Sequence, residues 1–168
     1  NTKGIEFLFK KNKIDLINGW ATIKAPGVIQ VNSKTFNSKS IIIATGSKPA
    51  QLKDLKVDEK TIVSSTGALS LKKIPKAMTV VGAGVIGLEL GSVYSRLGTE
   101  VTVIEYLGEI TPGLDKETAK MFRRILIKQG IKFILGAAVQ NAKKSGNKHI
   151  VNYSFNNNKK IEKINTDI

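Results

Sequence analysis

Residues 78–105 read MTVVGAGVIGLELGSVYSRLGTEVTVIE, and the fold is decided within them. Met78, Thr79, Val80 and Val81 form a short β-rich run. Gly82-Ala83-Gly84-Val85-Ile86-Gly87 then spells G-x-G-x-x-G, an amphipathic helix extends to about Leu97, and a second β-rich run, 100–105, ends in Glu105. The glycine pattern alone is a weak signal. A strand before it, a helix after it, and an acid 18 residues past Gly87 make it the strand–turn–helix–strand unit of a dinucleotide-binding fold, where the acid is expected ~20 residues on. In that unit Gly82 permits the tight turn, Gly84 lets the backbone approach a pyrophosphate, and Gly87 lets helix and strand pack closely. Phosphates sit on the helix N-terminus, held by free N–H groups and the helix dipole. The competing reading is a glycine-rich turn with no ligand.

Glu105 chooses between nucleotides. A carboxylate there accepts hydrogen bonds from both ribose hydroxyls, whereas a 2′-phosphate meets its charge at short range, so NAD is expected over NADP. Glu89, two residues past Gly87, reads equally as a contact to the nicotinamide ribose and as an ordinary acid offsetting the helix dipole.

Downstream, 115–129 reads as a helix closed by Gly130, with Met121, Phe122, Ile125 and Leu126 on one face. Short strands follow at 131–135, 139–143, 149–155 and 160–168, with Asn156, Asn157 and Asn158 in a hairpin loop. His149 falls in one of these strands, as a satisfied or solvent-facing imidazole. Upstream, apolar residues at Ile5, Phe7, Leu8 and Phe9 fit the last turns of a helix. Strands are expected at 14–23, 28–31 and 40–44, parted by turns at Pro26-Gly27 and Asn32-Ser33. The last of them, apolar from Ile41 to Ala44, is expected to be buried on both faces. About 30 residues of crossover follow, with little periodicity until 66–71, and end at Pro75. The fold class is therefore α/β: a Rossmann-like domain, parallel sheet plus antiparallel β-meander, over 78–168; a crossover over 51–77; and an incomplete β-rich piece over 1–50. The opening helix and meander lack a complete core, and the last strand lacks a stop signal, so a fragment of a longer chain is expected.

The 168 residues are 41% hydrophobic and 24% charged, enough for a core and against disorder. With no Cys there is no disulfide framework, zinc thiolate site or thiol nucleophile, and a single His leaves little for a Ser/His/Asp device. No metal site and no catalytic residue are assigned. The apolar runs fall far short of the ~18 residues that span a bilayer, so no membrane association is expected. The net charge of +14 is unevenly spread: residues 1–77 carry 14 Lys and 5 acids, 78–140 carry 7 basic and 6 acidic residues, and 141–168 carry 6 Lys and 2 acids. The excess is scattered Lys among Asn and Ser, with no Arg cluster for base reading. It reads as a solvated surface, and nucleic acid is not the expected partner.

Two further strings, Ile41-Ile42-Ile43-Ala44-Thr45-Gly46-Ser47 and Ile62-Val63-Ser64-Ser65-Thr66-Gly67-Ala68-Leu69, complete the picture. With 82–98 and 101–105 they resemble the dihydrolipoamide dehydrogenases, a branch of the flavin-dependent pyridine nucleotide disulfide oxidoreductases, over essentially the whole chain. That resemblance implies a homodimeric FAD enzyme that oxidises protein-bound dihydrolipoamide and reduces NAD⁺. Its implied partner is the lipoyl-bearing acyltransferase of 2-oxo-acid dehydrogenase complexes, in bacterial cytoplasm or mitochondrial matrix. It implies that 1–50 ends the first FAD segment and that 78–168 is the NAD-binding domain. Carried over by position, Gly82, Ala83, Gly84, Val85, Ile86, Gly87, Leu88 and Glu89 match the NAD pyrophosphate and ribose segment, Glu105 the adenosine-ribose acid, and Val139 a backbone position beside the adenine. Thr45, Gly46 and Ser47 match a turn that touches FAD, and Ala21, where the family often has Gly, matches a main-chain contact to the FAD adenine. The family's Cys-x4-Cys redox pair and its His–Glu base have no counterpart here, so the chain alone is expected to be inactive. The loop 109–113 departs from the family's usual form and receives no role. Another flavin disulfide reductase, mercuric or NADH-dependent, and a non-catalytic dinucleotide-binding module are the alternatives.

Overall fold

The computed structural model describes residues 2–158 and 160–168. They form two compact units, Asn1–Ser47 and Lys48–Ile168.

In the first unit, helix α1 (Thr2–Lys11) is followed by strands β1 (Ala21–Ala25), β2 (Val28–Val31) and β3 (Lys34–Asn37), an antiparallel sheet in the order β1-β2-β3. Gly27, at φ 75°, turns β1 into β2, and Asn32, at φ 54°, turns β2 into β3, so that Val31 pairs with Lys34. Both positions need the left-handed conformation, which Gly and Asn adopt most readily. Residues 14–20 are not strand, and the third strand is Lys34–Asn37 rather than 40–44. The apolar run of 41–44, expected to be buried on both faces, leaves Ile42 90% and Ile43 69% exposed. A strand buried on both faces needs neighbours at its edges and layers above and below it. Among the described residues, 41–44 has no ladder partner.

The second unit opens with a turn knotted by two carboxylates. Asp58 accepts from the main-chain N–H groups of Lys60, Thr61 and Ile62 and from the Thr61 hydroxyl, at 2.8 to 2.9 Å. Glu59 accepts from the Ser64 N–H and hydroxyl. Ser64 then caps the short helix α2 (Ser65–Ala68). The side chain of Glu59 occupies the space that a Cβ at Gly67 would need. Next come β4 (Ala77–Val81), α3 (Val85–Arg96), β5 (Glu100–Glu105), α4 (Lys116–Lys128) and β6 (Lys132–Leu135). The three strands pair in parallel in the order β4-β5-β6. Strands β7 (Ala137–Ser145), β8 (Lys148–Phe155) and β9 (Ile161–Thr166) form the antiparallel meander. Beyond β9 the last residues run along the free edge of β4, where the Thr79 N–H donates to the Ile168 carbonyl at 2.9 Å and the Asp167 N–H to the Ala77 carbonyl at 3.0 Å.

Alternation along β5 builds the layers. Val101 and Val103 join Leu88 and Tyr94 of α3 and Leu126 of α4 in one core, while Ile104 joins Ala137, Val151 and Tyr153 of the meander in another. The unit is thus helices, parallel sheet and meander in three layers, as the period-2 pattern of a strand buried on both faces requires. Two α4 residues expected on its apolar face, Met121 and Ile125, are instead exposed, and Leu126 with half-buried Phe122 makes the contact. No helix among the described residues is long and apolar enough to cross a membrane, and no cluster of three or more metal-ligating side chains occurs among them.

Candidate functional site

The site grows out of the end of β4. Gly82 has φ 103°, and its N–H donates to the Ile104 carbonyl at 2.8 Å, the last rung that ties β4 to β5. Ala83 is completely buried, and both of its hydrogen-bonding groups are taken. Its N–H donates to Glu105 Oε2 at 2.7 Å, and its carbonyl accepts from the Thr111 N–H at 2.8 Å. Gly84 is the N-cap of α3, with φ −73° and ψ 171°, and makes no side-chain cap. The first N–H groups of α3 therefore have neither an intrahelical acceptor nor a capping side chain.

The three glycines are there for three different reasons. Gly82 supplies the positive φ. At Gly87 a Cβ would lie 2.6 Å from the Gly82 carbonyl oxygen and 3.1 Å from Val80 Cγ1, so only Gly allows α3 to sit this close to β4. At Gly84 a Cβ would meet nothing within 4 Å. The missing side chain leaves open space in front of free N–H groups at the positive end of a helix dipole, a setting suited to an anion.

Glu105, 8% exposed at the end of β5, holds the Ala83 N–H with one oxygen and the Leu107 N–H, at 2.8 Å, with the other. An ionised carboxylate offers about four lone-pair directions, so about two remain. That is the number a vicinal diol uses. Leu88 is fully buried in the helix–sheet core and its N–H donates to the Gly84 carbonyl, so its side chain is not on the open side of the turn. Val85 and Ile86 are exposed, as is Glu89, which makes no side-chain hydrogen bond among the described residues. Val139 is half-buried and packs in the same cluster as Ile104, next to Glu105 in sequence.

A cleft of about 770 Å³ opens beside the turn, bounded by Gly84 and Ile86, by Val81 and by Val63, Thr61 and His149. His149 is neither solvent-facing nor fully satisfied. It is buried, with Nε2 at 3.5 Å from the Thr61 hydroxyl oxygen and Nδ1 without a partner. In the first unit, Ala21 lies in β1, and Thr45, Gly46 and Ser47 are exposed, Gly46 at φ 75°. None of these four makes a side-chain hydrogen bond among the described residues, and by themselves they do not build a ligand site. The part played by Thr111 and by the Leu107 N–H could not be foreseen from the sequence, because main-chain donors carry no residue code.

Comparison with known proteins shows what the chain as a whole is similar to. A family model described as pyridine nucleotide-disulphide oxidoreductase matches residues 1–168. The chain is 52% identical over 146 residues to dihydrolipoyl dehydrogenase 3 of Pseudomonas putida, covering 84% of this chain and 31% of that one. It is 50% identical over 151 residues to the mitochondrial dihydrolipoyl dehydrogenase of Caenorhabditis elegans, covering 86% and 30%. The chain thus spans about a third of the length of these relatives. Among solved structures, the HOCl-induced flavoprotein disulfide reductase RclA of Escherichia coli superposes with a TM-score of 0.69 at 26% identity, over 99% of this chain and 39% of that one.

Proposed function

The chain belongs to the pyridine nucleotide-disulphide oxidoreductase family, and we propose that it is the NAD-binding part of a dihydrolipoyl dehydrogenase, with the end of an FAD segment at its front. The boundaries of this reading are 1–50 for the FAD segment, 51–77 for the crossover and 78–168 for the NAD-binding domain. The whole enzyme would oxidise protein-bound dihydrolipoamide and reduce NAD⁺, as a homodimer serving the lipoyl-bearing acyltransferase of a 2-oxo-acid dehydrogenase complex. Bacterial cytoplasm and mitochondrial matrix are the compartments in keeping with such relatives. The sequence contains no cysteine, so the redox pair of that reaction cannot come from these residues.

The observation that carries the reading is the pairing of an open glycine turn with a sequestered acid. Gly84, Val85 and Ile86 would hold the pyrophosphate through their N–H groups, Gly87 sets the depth of the turn, and Glu105 would take the adenosine ribose. Val139 and Glu89 would stand beside the adenine and the nicotinamide ribose. When bound, the nicotinamide supplies the hydride acceptor; everything these residues do is to bind, orient and discriminate. Ala21, Thr45, Gly46 and Ser47 would touch FAD, together with residues outside this chain.

Titration with NADH and NADPH tests the reading. NADH should bind at least about tenfold more tightly, because a 2′-phosphate would bring like charge against a carboxylate removed from water. Glu105→Ala should weaken NADH binding and narrow the difference between the two nucleotides. Absence of NADH binding, or unchanged discrimination in the variant, would overturn it.

A further inference from the structure

The loop after β5 carries an oddity that the reading above leaves unused. Thr111 is β-branched, precedes Pro112, and sits at φ 46°. β-branched residues are rare in the left-handed region, and a following proline restricts the backbone further. It is 3% exposed, and its hydroxyl has no hydrogen-bond partner. Neither the side chain's polarity nor its conformational preference accounts for the arrangement. Its backbone does: the Thr111 N–H donates to the Ala83 carbonyl at 2.8 Å, while the neighbouring Ile110, 2% exposed, pins the loop into the helix–sheet core.

Peptide geometry gives this bond a consequence. In a trans peptide the carbonyl and the following N–H point in opposite directions, and the described chain contains no cis peptide. Holding the Ala83 carbonyl toward Thr111 therefore turns the Gly84 N–H away from the loop, and Gly84 itself is exposed, with nothing within 4 Å of an added Cβ. The same logic applies one peptide earlier. Glu105 holds the Ala83 N–H, so the Gly82 carbonyl points the other way, into the space that a Gly87 Cβ would need. The two peptides flanking Ala83 are thus clamped from the β5 side before any ligand arrives.

We propose that Thr111 is a positioning residue for a bound pyrophosphate: its main-chain N–H, presented by a left-handed backbone, fixes the Ala83 carbonyl and so aims the Gly84 N–H at a phosphate oxygen. This rests on the dinucleotide reading above. Preorganised donors gain affinity because the ligand need not order them.

Three probes separate the pyrophosphate from the nucleoside: NADH, ADP-ribose and adenosine. Thr111→Gly keeps the N–H and suits a positive φ, and should bind all three within about twofold of the parent protein. Thr111→Pro removes the N–H and cannot adopt the conformation. With far-UV circular dichroism unchanged, it should lose about tenfold or more toward NADH and ADP-ribose, the scale of one charge-assisted hydrogen bond, and little toward adenosine. Equal binding of NADH by a folded Thr111→Pro protein, or a parallel loss toward adenosine, would overturn the proposal. Failure of the parent protein to bind NADH would instead remove the dinucleotide reading on which it stands. Should the proline variant not fold, nuclear magnetic resonance of the parent protein decides. A through-hydrogen-bond coupling between the Thr111 nitrogen and the Ala83 carbonyl carbon, present before ligand is added, with the Gly84 amide shifting downfield on adding ADP-ribose, supports the clamp. Absence of the coupling, or an unmoved Gly84 amide under saturating ADP-ribose, contradicts it.

Discussion

Gly84 and Gly87 stand three residues apart in one motif, and the geometry gives them opposite liabilities. An alanine methyl at 87 meets the Gly82 carbonyl oxygen at 2.6 Å, and because that oxygen is a main-chain atom the turn itself must shift to make room. Gly87→Ala should destabilise the fold by about 1–3 kcal/mol, the usual cost of overpacking, seen as a lower urea midpoint. At Gly84 the methyl enters empty space and φ is already negative, so Gly84→Ala should stay within about 1 kcal/mol of the parent stability, the scale of an N-cap change. Its NADH affinity should nevertheless fall by about tenfold or more, because the methyl fills the approach to the free N–H groups. Equal stabilities for the two variants, or undiminished NADH binding by Gly84→Ala, would break this division of labour. The sequence announces both glycines and Glu105, because a missing side chain and a carboxylate are written in residue identity. It says nothing of the clamp on Ala83. Every residue but proline has an N–H, and nothing in Ile110-Thr111-Pro112 marks the middle residue as left-handed.

Among the elements, the succession of strands and helices was legible where burial sets the pattern, although at α4 the apolar face was read two residues too wide, and elements set by partners were not. The strand–turn–helix–strand succession of 78–105 follows from which faces are buried and stands as read, whereas the alternation of β5 shows only in the two cores it serves. Lys34–Asn37 holds a single apolar residue, Phe36, and becomes a strand because the turn at Asn32 folds it back on β2. The apolar run 41–44 has the opposite character, the composition of a buried strand without a ladder partner among the described residues. The turn of 58–62 is also a creature of partners, and it titrates. Hydrogen bonds to Asp58, that from the Thr61 N–H foremost, hold its carboxyl far below the usual carboxylate range. A lowered folded value means that Asp58 contributes stability above the unfolded pKa and loses it as pH falls toward the folded one. The stability difference between the parent protein and Asp58→Ala should therefore be full near pH 6 and shrink steadily once pH drops below about 4. Urea denaturation at stepped pH measures it. A difference that grows on acidification would contradict the hydrogen-bonded turn.

At the scale of the whole molecule, burial is divided very unequally between the two units. The second holds two separate apolar clusters, whereas in the first Val31 is the sole buried hydrophobic residue among those described. Meanwhile Phe7, Trp20 and Ile42 are exposed at 63%, 88% and 90%. Burial of apolar surface is the main force opposing conformational entropy, at about 25 cal/mol per Å² against about 1–2 kcal/mol per residue of backbone order. A three-stranded sheet with one buried side chain cannot match a unit with helices packed on a parallel sheet. The two units should accordingly open at different free energies, which native-state amide hydrogen exchange resolves. Amides of β5, whose residues from Val101 to Glu105 are all buried, should exchange only through global opening of the second unit. Amides of β1–β3 should exchange through a lower-energy local opening, with little dependence on denaturant. Addition of NADH should slow exchange at Ala83, Gly84 and β5 and leave β1–β3 unchanged, because a ligand stabilises only the unit that binds it. Equal protection in both sheets would mean that the first unit draws stability from a source other than its own core, and the accounting by buried surface would then have to be abandoned for it.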